Sequence, residues 1–211
     1  MRIGPLVRRA FGRYERQISN AYRSIYVDLD SFVDLIRKWE PSAVRILEVG
    51  CGEGTVTEKL SIAYPHARIT AIDITPRVGR LYAGSLDLVQ FIQCNVQSIA
   101  ELQAGQFDLV VLSDVLHHVP KEFRQGLFDA IRIALAPSGS FIFKDWQRNY
   151  LPIHWLCHAS DRWLTGDRIS FLTRKEMREH LALTFGEAAL IKEDRVPPWW
   201  NNIAILIRPA H

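Results

Sequence analysis

The residues best suited to chemistry in this 211-residue sequence sit at the ends of short apolar runs. Glu48-Val49-Gly50-Cys51-Gly52-Glu53-Gly54 places glycines at alternate positions directly behind an acid. Glycine admits positive φ and lets a ligand come close to the backbone, so such a loop can cradle a bound molecule. A dinucleotide fingerprint, G-x-G-x-x-G, would seat a pyrophosphate on a helix N-terminus. Here Thr55 stands where its third glycine belongs, and Glu48 suits a cationic group better than a phosphate. Asp73, ending a second apolar run, is able to accept two hydrogen bonds from ribose hydroxyls, a role that dinucleotide sites share. Further along, His118 and its neighbour His117 offer a base that works at neutral pH. His154, His158 and Asp161 stand at i, i+4 and i+7, which places them on one face of a helix.

The elements that must position these residues follow from the pattern. Ile3, Val7, Ala10, Phe11, Tyr14, Ile18, Ala21, Tyr22 and Ile25 recur at three- and four-residue steps and line one helix face, with Arg8, Arg9, Arg13 and Arg16 elsewhere. A second helix is expected over Asp30 to Trp39, ending before Pro41. Val44 to Val49 reads as a buried strand, Gly50 to Gly54 as a turn, and Thr55 to Ala63 as a helix. Arg68 to Asp73, Leu88 to Gln93 and Phe107 to Ser113 are further strands, and Pro76 occupies a position suited to a first helical turn. A helix over Lys121 to Leu135, a turn at Pro137-Ser138-Gly139 and a strand over Ser140 to Lys144 follow. Thr173 to Leu183 is expected to be helical, and Phe185 to Lys192 and Asn202 to Arg208 to be strands. Strands alternating with helices predict parallel βαβ units covered on both faces, and the last two strands, with no helix between them, predict an antiparallel pair.

In combination these segments resemble the class I, Rossmann-like S-adenosylmethionine-dependent methyltransferases. Ile46 to Gly54 is similar to the family's first motif and Ala71-Ile72-Asp73-Ile74 to its second. Phe107 to Val119 is similar to its fourth-strand motif, and Leu135 to Ser140 to the turn into strand five. The resemblance spans residues 44 to 145. It implies an α/β fold in three layers: a mostly parallel seven-stranded sheet with helices on both faces and a C-terminal antiparallel strand pair, preceded by an N-terminal helical extension. S-adenosylmethionine carries an ammonium, a carboxylate and a sulfonium and no phosphate, which agrees with an acid beside the loop. The resemblance implies that Glu48, Gly50, Cys51, Gly52 and Gly54 face its amino-acid end, that Asp73 holds the ribose, and that Ile74 lies against the adenine. Asn95-Val96 stands where the family often carries an acid that binds the adenine amino group; the Asn95 carbonyl still accepts that bond. Ser113 and Leu116 would line the cofactor from the fourth strand.

The chain is then expected to be one methyltransferase domain over residues 1–211. Its parts are a helical extension (1–40), a cofactor-binding core (44–145), a substrate-side insertion (146–170) and a C-terminal helix and strand pair (171–211). Methyl transfer needs alignment more than a base, so His118 and His117 are weighed against a merely packing or loop-capping pair, which is favoured because histidines here recur in relatives with different substrates. Tyr22, Tyr26, Asp145, Trp146, His154 and His158 are the candidate substrate-binding residues, together suggesting an aromatic or hydrophobic small molecule. The histidine face of the insertion is read as part of a lid over that pocket, with no metal bound. The alternatives weighed are a nicotinamide-dependent oxidoreductase and a non-catalytic S-adenosylmethionine-binding protein.

Composition sets the remaining bounds. With 48% apolar and 23% charged residues the chain has the balance of an ordinary globular protein. Cys51, Cys94 and Cys157 are odd in number and widely spaced, which argues against a disulfide framework and for a reducing, cytoplasmic setting. No apolar run reaches the roughly 18 residues a membrane span needs, and the arginine-interrupted N-terminus lacks the continuous apolar stretch of a secretory signal. Residues 1–25 hold six arginines and a single acid, Glu15, so the net charge of +3 is mostly an N-terminal property. Confined to one helix without a readout motif, it argues against nucleic acid. That helix is read first as a lid, with a dimer contact and weak attachment to an anionic membrane surface as the other readings.

Overall fold

The computed structural model describes residues 15–164 and 169–209. Ile3, Val7, Arg8, Arg9, Ala10, Phe11, Arg13 and Tyr14, and the side chains of Ile18, Tyr22, Asp161 and Trp163, lie outside the described residues. Helix α1 spans Glu15–Tyr26 and α2 spans Leu29–Trp39. Asp28 caps α2 by accepting from the backbone N–H groups of Asp30 and Ser31 at 3.0 and 3.1 Å. The helix buries Leu29, Phe32, Val33, Ile36 and Trp39, the face its periodicity predicts.

Seven strands and five more helices follow: β1 (Arg45–Val49), α3 (Thr55–Ala63), β2 (Arg68–Asp73), β3 (Val89–Gln93), α4 (Val96–Leu102), β4 (Phe107–Ser113), α5 (Lys121–Ala134), β5 (Leu135–Trp146), α6 (Pro152–Leu164), α7 (Arg174–Phe185), β6 (Leu190–Arg195) and β7 (Asn202–Ile207). They form one sheet in the order β3-β2-β1-β4-β5-β7-β6. β1 to β5 pair in parallel, and β7 runs antiparallel to both β5 and β6. Leu47, Val110, Leu112, Phe141 and Phe143 pack on α5 and α7 from one face, through Phe128, Leu181 and Phe185. Ile46, Val111, Ile142 and Leu206 pack on α2 and α3 from the other, through Phe32, Ile36 and Leu60. Chain order reverses between β1 and β4, so the crevice at their carboxyl ends is where an open α/β sheet receives a ligand. Among the described residues no helix is long and apolar enough to cross a membrane.

The fold differs from the sequence reading in four places. After Pro76 there is no helix: Arg77 and Gly79 take φ of 65° and 68°, and the segment folds back so that the N–H groups of Gly79 and Leu81 donate to the carbonyls of Gly52 and Glu53. Residues 96–102 form an unanticipated helix, α4, too short for periodicity to reveal. The Pro137–Gly139 turn lies inside β5, whose register with β4 jumps from Phe107↔Leu135 to Leu109↔Ser140. The strand expected over Phe185 to Lys192 begins only at Leu190, because α7 runs on to Phe185 and Gly186, at φ 86°, turns the chain into a short 3-10 segment. A short apolar run is compatible with either a strand or a helix end.

Candidate active site

At the end of β1 the backbone N–H groups of Gly50 and Cys51 both donate to the Ile72 carbonyl, at 2.8 and 3.0 Å, which turns the loop over the end of β2. Gly50, Gly52 and Gly54 all adopt positive φ, but they answer different needs. A Cβ on Gly50 would lie 2.2 Å from Val115 Cγ2, and one on Gly54 3.1 Å from Gly79 Cα and Tyr82 Cβ, so these two make room for packing beneath the loop. A Cβ on Gly52 would meet only Asp73 Oδ2, at 4.0 Å, so Gly52 opens onto space. Asp73 holds this geometry: Oδ2 accepts from Gly52 N–H at 2.8 Å, and Oδ1 accepts from the Thr75 N–H and hydroxyl at 2.8 and 2.7 Å. Ile74 beside it is exposed. Cys51 is buried and burial pushes its thiol well up, so it remains a packed thiol and not a nucleophile.

Glu48 is 3% exposed, and desolvation pushes its carboxyl up to about 7; the Thr57 hydroxyl nearby pulls it down and the Asp73 charge adds a further upward push. Its Oε2 has no hydrogen-bond partner among the described residues, and neither has Thr57 Oγ1. A buried carboxylate oxygen without a partner is costly, and a ligand ammonium at the open face of Gly52 would satisfy it. Asn95 requires a correction. Its Oδ1 accepts from the Ser98 N–H and hydroxyl, both at 2.9 Å, and so caps α4. The carbonyl expected to accept from an adenine amino group is already occupied twice, and the Asn95 NH2, which only donates, is what remains for a ligand. Val96 is buried as the first residue of that helix.

The other end of the crevice is assembled from β4, β5 and α6. Ser113 ends β4, half-buried, with its hydroxyl 3.3 Å from Asp114 Oδ2, and Leu116 is buried in a 3-10 turn with His117 and His118. His117 Nδ1 lies 2.6 Å from Asp145 Oδ1, its backbone N–H donates to Asp145 Oδ2 at 3.2 Å, and its ring stacks on Phe171 at 4.7 Å. Burial pushes Asp145 up, but the His117 partner and the Trp146 N–H outweigh it and hold this carboxyl below the usual carboxylate range. Trp146 donates through Nε1 to His154 Nδ1 at 3.1 Å, and its ring meets Tyr26 edge-on at 6.0 Å. His154 and His158 share one face of α6, 6.5 Å apart between ring centroids, and both contact Phe171.

The structure thus brings Tyr26, His117, Asp145, Trp146, His154 and His158 together. Of these, Asp145, Trp146, His117 and His154 are buried and pack on one another. Among the described residues no His, Cys, Asp or Glu group is arranged to hold a metal ion. Helix α1 is tied across this end. Arg16 pairs with Glu58 of α3, Trp199 Nε1 donates to the Ile25 carbonyl, and Asn202 Nδ2 donates to the Tyr26 carbonyl. A groove of about 590 Å³ lies where α1, α2 and α3 meet, lined by Arg16, Val27, Asp28, Thr55, Glu58 and Leu81.

Two features escaped the sequence reading. Arg124, on α5, is fully buried and donates to the carbonyls of Val119 and Ser170 at 3.0 and 2.9 Å, which clamps the His117 turn to the segment after α6. Lys144, 1% exposed, donates from Nζ to both Asp114 oxygens at 2.7 and 2.6 Å. A lysine inside the apolar run Phe141-Ile142-Phe143-Lys144 was the available signal for that pair.

Fold, strand order and glycine cradle define a class I, Rossmann-like methyltransferase architecture. A family model described as "Methyltransferase domain" matches residues 14–184, and the chain belongs to that S-adenosylmethionine-dependent family. The ubiquinone biosynthesis O-methyltransferase of Xanthomonas axonopodis pv. citri is 42% identical over 87 residues, 38% of this chain and 35% of that protein. The one from Nitrosococcus oceani is 35% identical over 108 residues, 49% and 44% of the two chains. The matched region is less than half the length of these curated relatives. Among solved structures, the PH0226 protein of Pyrococcus horikoshii superposes with a TM-score of 0.72 at 19% identity, covering 96% of this chain and 98% of that one. The 1,6-didemethyltoxoflavin-N1-methyltransferase of Burkholderia thailandensis, with 1,6-didemethyltoxoflavin and S-adenosylhomocysteine bound, superposes with a TM-score of 0.65 at 18% identity, covering 98% of this chain and 88% of that one.

Proposed function

We propose that this chain is a single methyltransferase domain that transfers a methyl group from S-adenosylmethionine to a hydroxyl of a small aromatic molecule. The observation that carries the cofactor half is the buried Glu48 carboxylate, whose Oε2 has no hydrogen-bond partner among the described residues, together with a loop whose Gly52 faces open space. S-adenosylmethionine supplies an electrophilic sulfonium methyl when bound; everything else is positioning by the chain. Glu48 meets the ammonium, Gly52 lets the backbone close on the amino-acid moiety, and Asp73, which already accepts three hydrogen bonds, offers its remaining lone pair to the ribose. Ile74 lies against the adenine, with Val96, Ser113 and Leu116 along the cofactor.

The hydroxyl assignment is supported by the paired His117 and Asp145. A carboxylate at Nδ1 favours the tautomer with the proton there and leaves Nε2 as the basic nitrogen, the arrangement of a general base for a weakly acidic hydroxyl. It is also supported by relatives whose names specify O-methylation. Aromatic character is supported by Tyr26, Trp146 and Phe171 around that base. Calorimetry with S-adenosylmethionine, S-adenosylhomocysteine and NAD tests the cofactor. Tight binding of the first two and none of NAD is expected; the reverse would end this reading.

A further inference from the structure

Lys144 and Asp114 have no part in the roles assigned so far, yet the fold commits a fully buried cation to them. Lys144 is the last β5 residue paired with β4, opposite Ser113, and it is buried, with Ile142 two residues back along the strand and Ala204 across from it on β7. Taking an ammonium out of water is expensive unless an opposite charge meets it, and here both hydrogen bonds go to the Asp114 carboxylate. Asp114 is unusual in turn. It adopts φ +56°, a conformation non-glycine residues seldom take, and its N–H donates to the Lys144 carbonyl at 3.0 Å. Unlike its lysine it is not buried: 36% of the side chain is exposed.

Its location gives the pair a meaning. Val115, the next residue, is the side chain wedged under Gly50 of the cofactor loop. Three residues on is His117, bound to Asp145. Asp114 therefore lies at the carboxyl end of β4, between the glycine loop and the His117 pair, where the sheet order reverses. A half-exposed carboxylate anchored by a buried lysine is a fixed acceptor of hydrogen bonds.

We propose that Asp114 orients the methyl acceptor by accepting a hydrogen bond from a second donor on it, with Lys144 as the positioning residue. This rests on the methyltransferase reading above and sharpens it. The acceptor class is an aromatic hydroxyl compound carrying a second hydrogen-bond donor, for which catechol is a probe; a carboxylate in that second position is repelled by Asp114.

The test uses catechol and 2-hydroxybenzoate as probes, with wild-type chain, Asp114→Asn, Lys144→Arg and Lys144→Met. Wild type is expected to bind catechol in the presence of S-adenosylhomocysteine, to methylate it, and to reject 2-hydroxybenzoate. Asp114→Asn is expected to raise the catechol KM by about 10- to 100-fold, the effect of losing one charge-assisted hydrogen bond. It should also narrow the discrimination against 2-hydroxybenzoate, with S-adenosylhomocysteine affinity within about twofold of wild type. Lys144→Met is expected to raise KM more than it lowers kcat, and Lys144→Arg to restore it in part. An unchanged KM and unchanged discrimination in Asp114→Asn would overturn the assignment, as would a parallel loss of S-adenosylhomocysteine affinity. Wild type that binds S-adenosylhomocysteine but neither probe would refute the acceptor class and leave the cofactor reading standing. Failure to bind S-adenosylhomocysteine would refute the underlying reading itself.

Discussion

Glu48 and Asp145 are both buried carboxyls near the same edge of the sheet, and desolvation is the largest influence on each, yet they end on opposite sides of the ordinary range. Glu48 has no cation within reach and is pushed up to about 7. Asp145 receives the His117 ring, two backbone N–H groups and the nearby Lys144 charge, and stays low. The difference is whether the chain itself supplies the counter-group. At the cofactor end it withholds one, and the missing partner is left to a ligand. At the His117 end it supplies the pair itself, so the base proposed there would be preorganised before anything binds.

The comparison would break most visibly at His117. Replacing it with alanine is expected to lower turnover by about 10²- to 10⁴-fold, the usual worth of a general base, while S-adenosylhomocysteine affinity stays within about twofold. Equal turnover in His117→Ala and wild type would make the pair a packing device. Next in size is Gly52→Val. A branched side chain projecting into the open face should reduce S-adenosylhomocysteine affinity by at least about 100-fold, on the scale of forced overpacking, while denaturant midpoints move little. Gly50→Ala, which drives a methyl into Val115, should do the opposite and chiefly unfold.

A third test exploits the titration of Glu48. Its folded carboxyl, at about 7, holds a proton longer than the unfolded group at 4.5. Stability from the neutral form is therefore complete below pH 4.5 and is lost as pH rises to 7, amounting to about 3 kcal/mol for the ligand-free chain. Glu48→Gln should remove that penalty: similar stability to wild type at pH 4, and a gain of up to about 3 kcal/mol at pH 8. Wild-type affinity for S-adenosylhomocysteine should fall about tenfold per pH unit below 7, as the carboxylate that meets the ammonium takes up its proton. A flat affinity profile between pH 5.5 and 7 would remove Glu48 from the cofactor site. The smallest effect is expected at Asn95: alanine there should cost about 1 kcal/mol of stability through the lost α4 cap. A simultaneous threefold loss of S-adenosylhomocysteine affinity would give the Asn95 NH2 a direct contact after all.

The cofactor end was legible because its signals are local. Ile46 to Ala63 reads as strand, turn and helix in one stretch, and Asp73 ends a second strand that hydrophobic periodicity marks. Positions in the loop are distinguishable only with neighbours in place: the sequence treats Gly50, Gly52 and Gly54 alike, whereas in the fold Gly50 packs against Val115, from the turn after β4, and Gly52 opens onto space. The same holds for Asn95, whose side chain a sequence alone assigns to a ligand and the fold assigns to Ser98.

At the acceptor end the chemistry depends on residues far apart in the chain. Tyr26 meets Trp146, Lys144 meets Asp114, and Arg124 joins Val119 to Ser170, contacts that no periodicity records. What the amino-acid sequence determined by itself was the strand-and-helix alternation, the glycine cradle and the acid behind it, because each is encoded within a single turn or strand. What only the tertiary structure decided was which buried charge has a partner, because desolvation and pairing are properties of packed neighbours that folding alone brings together.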